Sequence, residues 1–134
     1  MNLLFVCVEN SCRSQMAEGW ARTIGGERGI RAWSCGASPS GQVNPGAVAA
    51  MQEAGVDIAG QSSKGVEALP SDVEFDAVVT MGCGDACPRV PCRRVLDWPV
   101  PDPKGGGPEA FARARDEIRR RVQGLIDDLE RRRT

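Results

Sequence analysis

Apolar positions recur along the chain in two rhythms that take turns. Leu3-Leu4-Phe5-Val6-Cys7 is short, apolar and unbroken, the pattern of a strand buried on both faces of a parallel sheet. Beyond Ser14 the apolar residues are Met16, Ala17, Trp20, Ala21 and Ile24. Their steps of three and four predict an amphipathic helix, which Gly25-Gly26 stops. Residues 30–35 predict a second, more polar strand that runs into the loop Gly36-Ala37-Ser38-Pro39-Ser40-Gly41. Asn44 caps a second helix with Pro45 in its first turn; Val48 and Met51 follow, and Ala54-Gly55 ends it. Residues 61–69 predict a short helix between loops. Residues 75–80 (Phe-Asp-Ala-Val-Val-Thr) predict a strand. Residues 81–92, rich in Gly, Cys and Pro, predict a loop, and residues 94–98 a short strand. Residues 99–108 hold prolines 99, 101, 103 and 108 and glycines 105 to 107, which predicts another loop. The chain closes with a long helix over 109–132. Phe111, Ile118, Val122, Leu125 and Leu129 form its apolar stripe, and Glu117 and Arg121 stand four apart in the favourable order.

Strands alternating with helices predict an α/β fold, a small parallel sheet with helices on both faces. A chain of 134 residues suits one such domain, residues 1–134. Open parallel sheets bind ligands beyond the carboxyl ends of their strands, at a topological switch point. The loops that begin at Cys7, Met81 and Pro99 each follow a strand, so all three are expected at one edge.

Composition narrows the chemistry. Net charge is −1, and aromatics are limited to three Trp and three Phe, so neither nucleic acid nor membrane is an expected partner. The arginines at 119–121 and 131–133 read as a solvated helix face. No stretch is long and apolar enough to cross a bilayer. The apolar start is short and lacks a basic leader, so the expected location is the cytoplasm. There, six cysteines read as catalytic, redox or metal-binding rather than as a disulfide framework. The absence of histidine removes Ser-His-Asp and Cys-His catalysis and most zinc catalysis.

The candidate chemistry lies in Cys7-Val8-Glu9-Asn10-Ser11-Cys12-Arg13-Ser14. A strand, a short loop and a helix N-terminus bring backbone amides toward one point, where they hold an anion. Residues Val8 to Arg13 are the expected oxyanion cradle, and Cys7 is the expected nucleophile. A helix N-terminus and a nearby cation favour the reactive thiolate form of a cysteine. Arg13 supplies that cation and a planar fork for two oxygens of a tetrahedral anion. Ser14 is placed to hydrogen-bond the sulfur, and Asn10 to brace the loop, since Asn tolerates left-handed backbone. These parts suit attack on a phosphate-shaped substrate.

The run from Cys7 through Trp20 resembles the signature of arsenate reductases built on the low-molecular-weight protein tyrosine phosphatase fold. The similarity continues through Asn44-Pro45, Val79-Thr80-Met81-Gly82-Cys83, Asp97-Trp98 and Asp102-Pro103. The resemblance implies a four-stranded parallel sheet and reduction of arsenate to arsenite by a cysteine relay, with no cofactor. In that relay Cys7 attacks arsenic, Cys83 attacks the Cys7 sulfur, and Cys87 attacks Cys83. The oxidised pair is then recycled by thioredoxin or another thiol reductant. Phosphate or sulfate would mimic arsenate at the site.

Cys92 competes with Cys87 for the last step, and Cys35, Cys83, Cys87 and Cys92 could instead supply four thiolates to zinc, although their spacing is poor for it. Cys12 and Cys35 read as packing thiols. Asp102, in the stiff Pro101-Asp102-Pro103, is the general acid that the resemblance implies, with Asp97 as the alternative. Lys104-Gly105-Gly106 follows where tyrosine phosphatases of this fold carry aromatics, which argues against an aryl phosphate. Some relatives hold potassium through residues matching Asn10, Glu18, Ser34 and an Asp. Lys64 stands in place of that Asp, so its ammonium is expected to replace the ion. The alternatives are a phosphatase acting on phosphotyrosine or phosphoarginine, and a non-enzymatic redox or arsenic sensor.

Overall fold

The computed structural model describes residues 1–84 and 87–133. Four strands, β1 (Asn2–Cys7), β2 (Arg31–Gly36), β3 (Ala77–Met81) and β4 (Val95–Asp97), form one sheet in the order β2-β1-β3-β4. Every pairing is parallel. Three α-helices connect and follow them: α1 (Arg13–Gly25), α2 (Pro45–Glu53) and α3 (Gly107–Arg133). The predicted α/β fold with a small four-stranded parallel sheet is therefore the observed one; all three α-helices pack on one face of it, and outside residues 61–69 the element ends shift by one or two residues. Of the predicted loop 81–92, residues 85 and 86 lie outside the described residues.

Side chains alternate across β1 and divide the core in two. Leu3, Phe5 and Cys7 face a large cluster built with all three α-helices, including Met16, Trp20, Met51, Ile118, Val122 and Ile126. Leu4 and Val6 face a smaller cluster with Cys35, Phe75, Val78 and Cys83, covered by Trp33, Leu69, Val73, Cys87, Val90 and Cys92. The predicted stripe of α3 (Phe111, Ile118, Val122, Leu125, Leu129) is buried throughout. Trp33 and Phe75 meet edge to face at 5.6 Å in the smaller cluster.

One predicted element shrinks. Of residues 61–69, only Val66–Ala68 forms a 3₁₀ turn. The backbone just before it is committed elsewhere. Ser62 O accepts from Gln15, Lys64 N donates to Asn10, and Lys64 O accepts from Gly36 N. Those groups are not free for a helical ladder. The strand predicted over 75–80 begins only at Ala77, because Phe75 makes an isolated bridge to Cys92.

The strand order reverses at β1. The chain leaves β1 toward β2 and later enters β3 on the other side of β1. The crevice at such a reversal is where ligands bind. Cys7 is the last residue of β1, and its register partner in β3 is Met81. The Cys7 loop and the cysteine-bearing segment thus leave the sheet side by side.

Ile118 is fully buried where α3 packs on the helix-side cluster. Ile118→Ala is expected to lower unfolding free energy by about 2–5 kcal/mol, the cost of deleting a buried aliphatic chain, as read from denaturant midpoints.

Candidate active site

Six consecutive carbonyls, Cys7 to Cys12, are tied down from outside the loop. Cys7 O accepts from Ala37 N at 3.3 Å, Val8 O from Ser38 N at 2.8 Å, Glu9 O from Ser40 N at 3.0 Å, and Ser11 O from Asn44 N at 2.9 Å. Ser63 Oγ donates to Glu9 O, and Gln15 Nε2 to Asn10 O, each at 2.9 Å. Cys12 O accepts from Met16 N inside α1. In a trans peptide the N–H points opposite to the carbonyl it follows. Fixing these carbonyls outward turns the amides of Val8, Glu9, Asn10, Ser11, Cys12 and Arg13 the other way. A cavity of about 300 Å³ lies at this loop, lined by Cys7, Val8, Glu9, Ser11, Cys12, Arg13, Asp102 and Lys104.

Asn10 holds the loop in shape. It is fully buried and takes φ of 51°, the left-handed region Asn tolerates. Its Oδ1 accepts from Gln15 Nε2 and from Lys64 N, both at 2.9 Å. Its Nδ2 donates to Ser14 Oγ at 2.7 Å, and Ser14 Oγ lies 2.9 Å from Cys7 Sγ. A hydroxyl that accepts from Asn10 keeps its own proton to donate, and the sulfur is in reach of it. Gly36 backs the loop closely: a Cβ there would lie 2.8 Å from both Asn10 N and Val8 O.

Arg13 is buried at the first position of α1. Its Nη1 donates to Val100 O at 2.9 Å, and its Nη2 lies 3.8 Å from Asp102 Oδ2. Gly82, at φ 82°, passes so close that a Cβ would overlap the Arg13 guanidinium. Asp102 is half exposed at the cavity, and its Oδ1 accepts from Lys104 N at 3.0 Å. Asp97 lies outside the cavity lining, with its Oδ1 held by Thr80 Oγ1 at 2.8 Å. Across the mouth, Lys104 Nζ pairs with Glu9 Oε1 at 2.7 Å. The hydrogen bond to Glu9 raises the Lys104 ammonium above its ordinary pKa.

Cys83 and Cys87 are joined in a disulfide, with their Cα atoms 5.0 Å apart. Cys7, Cys12, Cys35 and Cys92 are free thiols. Cys92 is half-buried against the cluster that contains Cys83. Among the described residues, no three His, Cys, Asp or Glu side chains are gathered as a metal would need. Burial pushes the thiols of Cys12 and Cys35 up to about 11. Both are therefore protonated near neutrality, in keeping with packing thiols.

The residues matching a potassium site do not fit the ion. Glu18, buried in α1, already has three partners. Ser34 Oγ donates to its Oε1 at 2.5 Å, Arg22 Nη2 pairs with its Oε2 at 2.7 Å, and Lys64 Nζ lies 3.8 Å from its Oε1. Asn10 Oδ1 is occupied by two donors. The fixed positive charges stand where a cation would.

Sequence reasoning missed several supports: Gln15, Gln61, Gly36, Gly82 and the carbonyl of Val100. Gln15 is fully buried and bridges Asn10 and Ser62, and Gln61 Nε2 donates to Gln15 Oε1 at 2.7 Å. The one available signal was a pair of polar residues, Ser14 and Gln15, beside the apolar face of a helix.

The family model described as low molecular weight phosphotyrosine protein phosphatase matches residues 2–134. The glutaredoxin arsenate reductase of a Synechocystis species is 42% identical over 127 residues, covering 92% of this chain and 95% of that protein. Among solved structures, an arsenate reductase in its phosphate-binding state superposes with a TM-score of 0.83 at 39% identity, over 95% of this chain and 97% of that one. The thioredoxin-dependent arsenate reductase of Corynebacterium glutamicum gives 0.76 at 30% identity, over 96% of this chain and 61% of that longer one.

Two measurements follow from the charges and thiols described. Potassium, titrated against sodium at equal ionic strength, is expected to leave the melting temperature unchanged, because Lys64 and Arg22 already compensate Glu18; a potassium-specific rise would contradict this. Alkaline stability is the second. The unfolded thiol ionises near 9.0, whereas Cys12 and Cys35 hold their protons to about 11. Stability from this source is whole below about pH 9 and is lost as pH climbs to about 11, on the order of 3 kcal/mol per thiol. Cys35→Ala is expected to flatten the fall in denaturant midpoint over that window.

Proposed function

The chain belongs to the low-molecular-weight phosphotyrosine protein phosphatase family, and within it we propose that the protein is an arsenate reductase. The observation that carries this reading is the Cys83–Cys87 disulfide, formed just beyond β3 while Cys7 stays a free thiol. Phosphate-ester hydrolysis needs only the Cys7 loop, Arg13 and an acid. A two-electron reduction also needs a second and a third sulfur.

The proposed reaction begins with arsenate in the cradle formed by the amides of residues 8–13 and the Arg13 guanidinium. The Cys7 thiolate, hydrogen-bonded by Ser14, attacks arsenic. Asp102 gives a proton to the departing oxygen, which leaves as water. The Cys83 thiolate then attacks the Cys7 sulfur. The S–As bond breaks with its electron pair going to arsenic, arsenic(V) becomes arsenic(III), and arsenite departs. The Cys7–Cys83 disulfide left behind is attacked at Cys83 by the Cys87 thiolate, which frees Cys7 and yields the Cys83–Cys87 pair. Two electrons and two protons from an external dithiol restore the starting state. Cys83 packs on the side of the sheet opposite the cluster that holds Cys7, so the relay carries its sulfur around the strand ends at Gly82.

The proposed electron donor is a small dithiol protein of the thioredoxin or glutaredoxin class. Both donor types appear in the names of the relatives described. A relay of free thiols works only in a reducing compartment, which supports a cytoplasmic location.

The test is arsenate-dependent oxidation of NADPH through thioredoxin reductase and thioredoxin, beside hydrolysis of p-nitrophenyl phosphate. Cys7→Ser is expected to abolish both activities. Cys83→Ser and Cys87→Ser are expected to abolish arsenate turnover and spare ester hydrolysis, with Cys87→Ser trapping a Cys7–Cys83 disulfide visible by peptide mass spectrometry. Arsenate turnover surviving both of the latter substitutions would defeat the relay. Ester hydrolysis without any arsenate turnover would identify a phosphatase, and neither activity a sensor.

A further inference from the structure

We propose that the Glu9–Lys104 ion pair is a specificity latch, admitting free tetrahedral oxyanions to Cys7 and holding out organic phosphate esters. The inference deepens the reading of the same site as one for inorganic arsenate. Both side chains line the Cys7 cavity, and they meet across its mouth at 2.7 Å. Neither end is loose at its base. Glu9 O is held by Ser40 N and Ser63 Oγ, so the residue is anchored to the loop it serves. Lys104 follows Pro103, and its own N–H donates to Asp102 Oδ1. Gly106 N closes a turn onto Pro103 O.

The loop over residues 99–108 is thus fastened to the anion loop at two depths. Beneath, Arg13 reaches Val100 O and Asp102. Outside, Lys104 reaches Glu9. A free oxyanion, with nothing beyond its four oxygens, fits under the outer pair. An ester carries an organic group on one oxygen, and in this proposal that group runs into the closed pair, since both of its members line the cavity and are partly exposed. Its entry requires the pair to open.

The pair also cancels a charge. A lone Glu9 carboxylate at the mouth would repel a dianion, and Lys104 neutralises it. The side chains are 39% and 53% exposed, so the closed form is favoured only modestly and is weakened by salt.

The variant that tests this is Glu9→Gln with Lys104→Met, which removes one charge of each sign. The ratio of kcat/KM for p-nitrophenyl phosphate to kcat/KM for arsenate is expected to rise about two- to fivefold, the range that a partly exposed ion pair commands. In the unsubstituted protein, raising salt should move the ratio in the same direction. The double variant should lose that salt response, and Lys104→Arg, which keeps the pair, should retain the original ratio. A double-variant ratio that is unchanged or lower would overturn the latch.

A second readout is independent of arsenate. Alkylation of Cys7 by the bulky N-phenylmaleimide, relative to the small iodoacetamide and followed by peptide mass spectrometry, should accelerate by a similar factor in the double variant. An unchanged alkylation ratio also overturns the proposal. If the unsubstituted protein fails to turn over arsenate, the arsenate reading falls, and the alkylation ratio still decides the latch.

Discussion

Asn10 is the residue on which the geometry of the site depends. A fully buried amide has four hydrogen-bonding positions to satisfy, and leaving one unmade inside a protein costs more than making it returns. Asn10 uses its side chain to join Ser14, Gln15 and the backbone of Lys64, and its left-handed backbone turns the loop between β1 and α1. Through Ser14 the same amide reaches the Cys7 sulfur. Disturbing it would release the carbonyls that now face outward, and with them the common direction of the loop amides.

The sheet supplies the second constraint. Because the strand order reverses at β1, the loops after β1 and β3 leave the sheet next to each other, and the chain beyond β4 brings Val100 and Asp102 to Arg13. A thiol, a guanidinium, a carboxyl and a cysteine-bearing segment meet at one edge because parallel strands all end on the same side. The close pass of Gly82 over Arg13 is the point where the Cys7 loop and the cysteine-bearing segment touch. One arginine thereby borders the Cys7 loop, the Asp102 loop and the segment that leads to Cys83.

Charge in the interior is handled in the same economical way. Glu18 is buried behind the anion loop and is compensated by Lys64, Arg22 and Ser34. A buried carboxylate without partners would carry a desolvation penalty of several kcal/mol. Here fixed side chains of the chain itself meet that need, and Lys64 contributes twice, by its ammonium to Glu18 and by its N–H to Asn10.

The local signals were enough to determine most of the architecture. Apolar period and turn residues placed four strands and three α-helices, because burial on both faces of a strand or on one stripe of a helix is written in adjacent residues. The spacing of Cys7, Arg13 and Ser14 likewise marked the candidate loop, since strand, turn and helix follow each other without interruption. Only the tertiary structure placed Asp102 at the Cys7 cavity and Asp97 outside its lining, joined Cys83 to Cys87 rather than to Cys92, and reduced residues 61–69 to a single 3₁₀ turn. It also revealed Gln15, Gly36, Gly82 and Val100 as supports. The contacts that decide these points join residues far apart in the chain, 87 positions for Arg13 to Val100 and 54 for Lys64 to Asn10. No local period records such meetings. They exist because the sheet order brings those segments together, and there the unmet hydrogen-bonding groups of one segment are satisfied by the backbone of another.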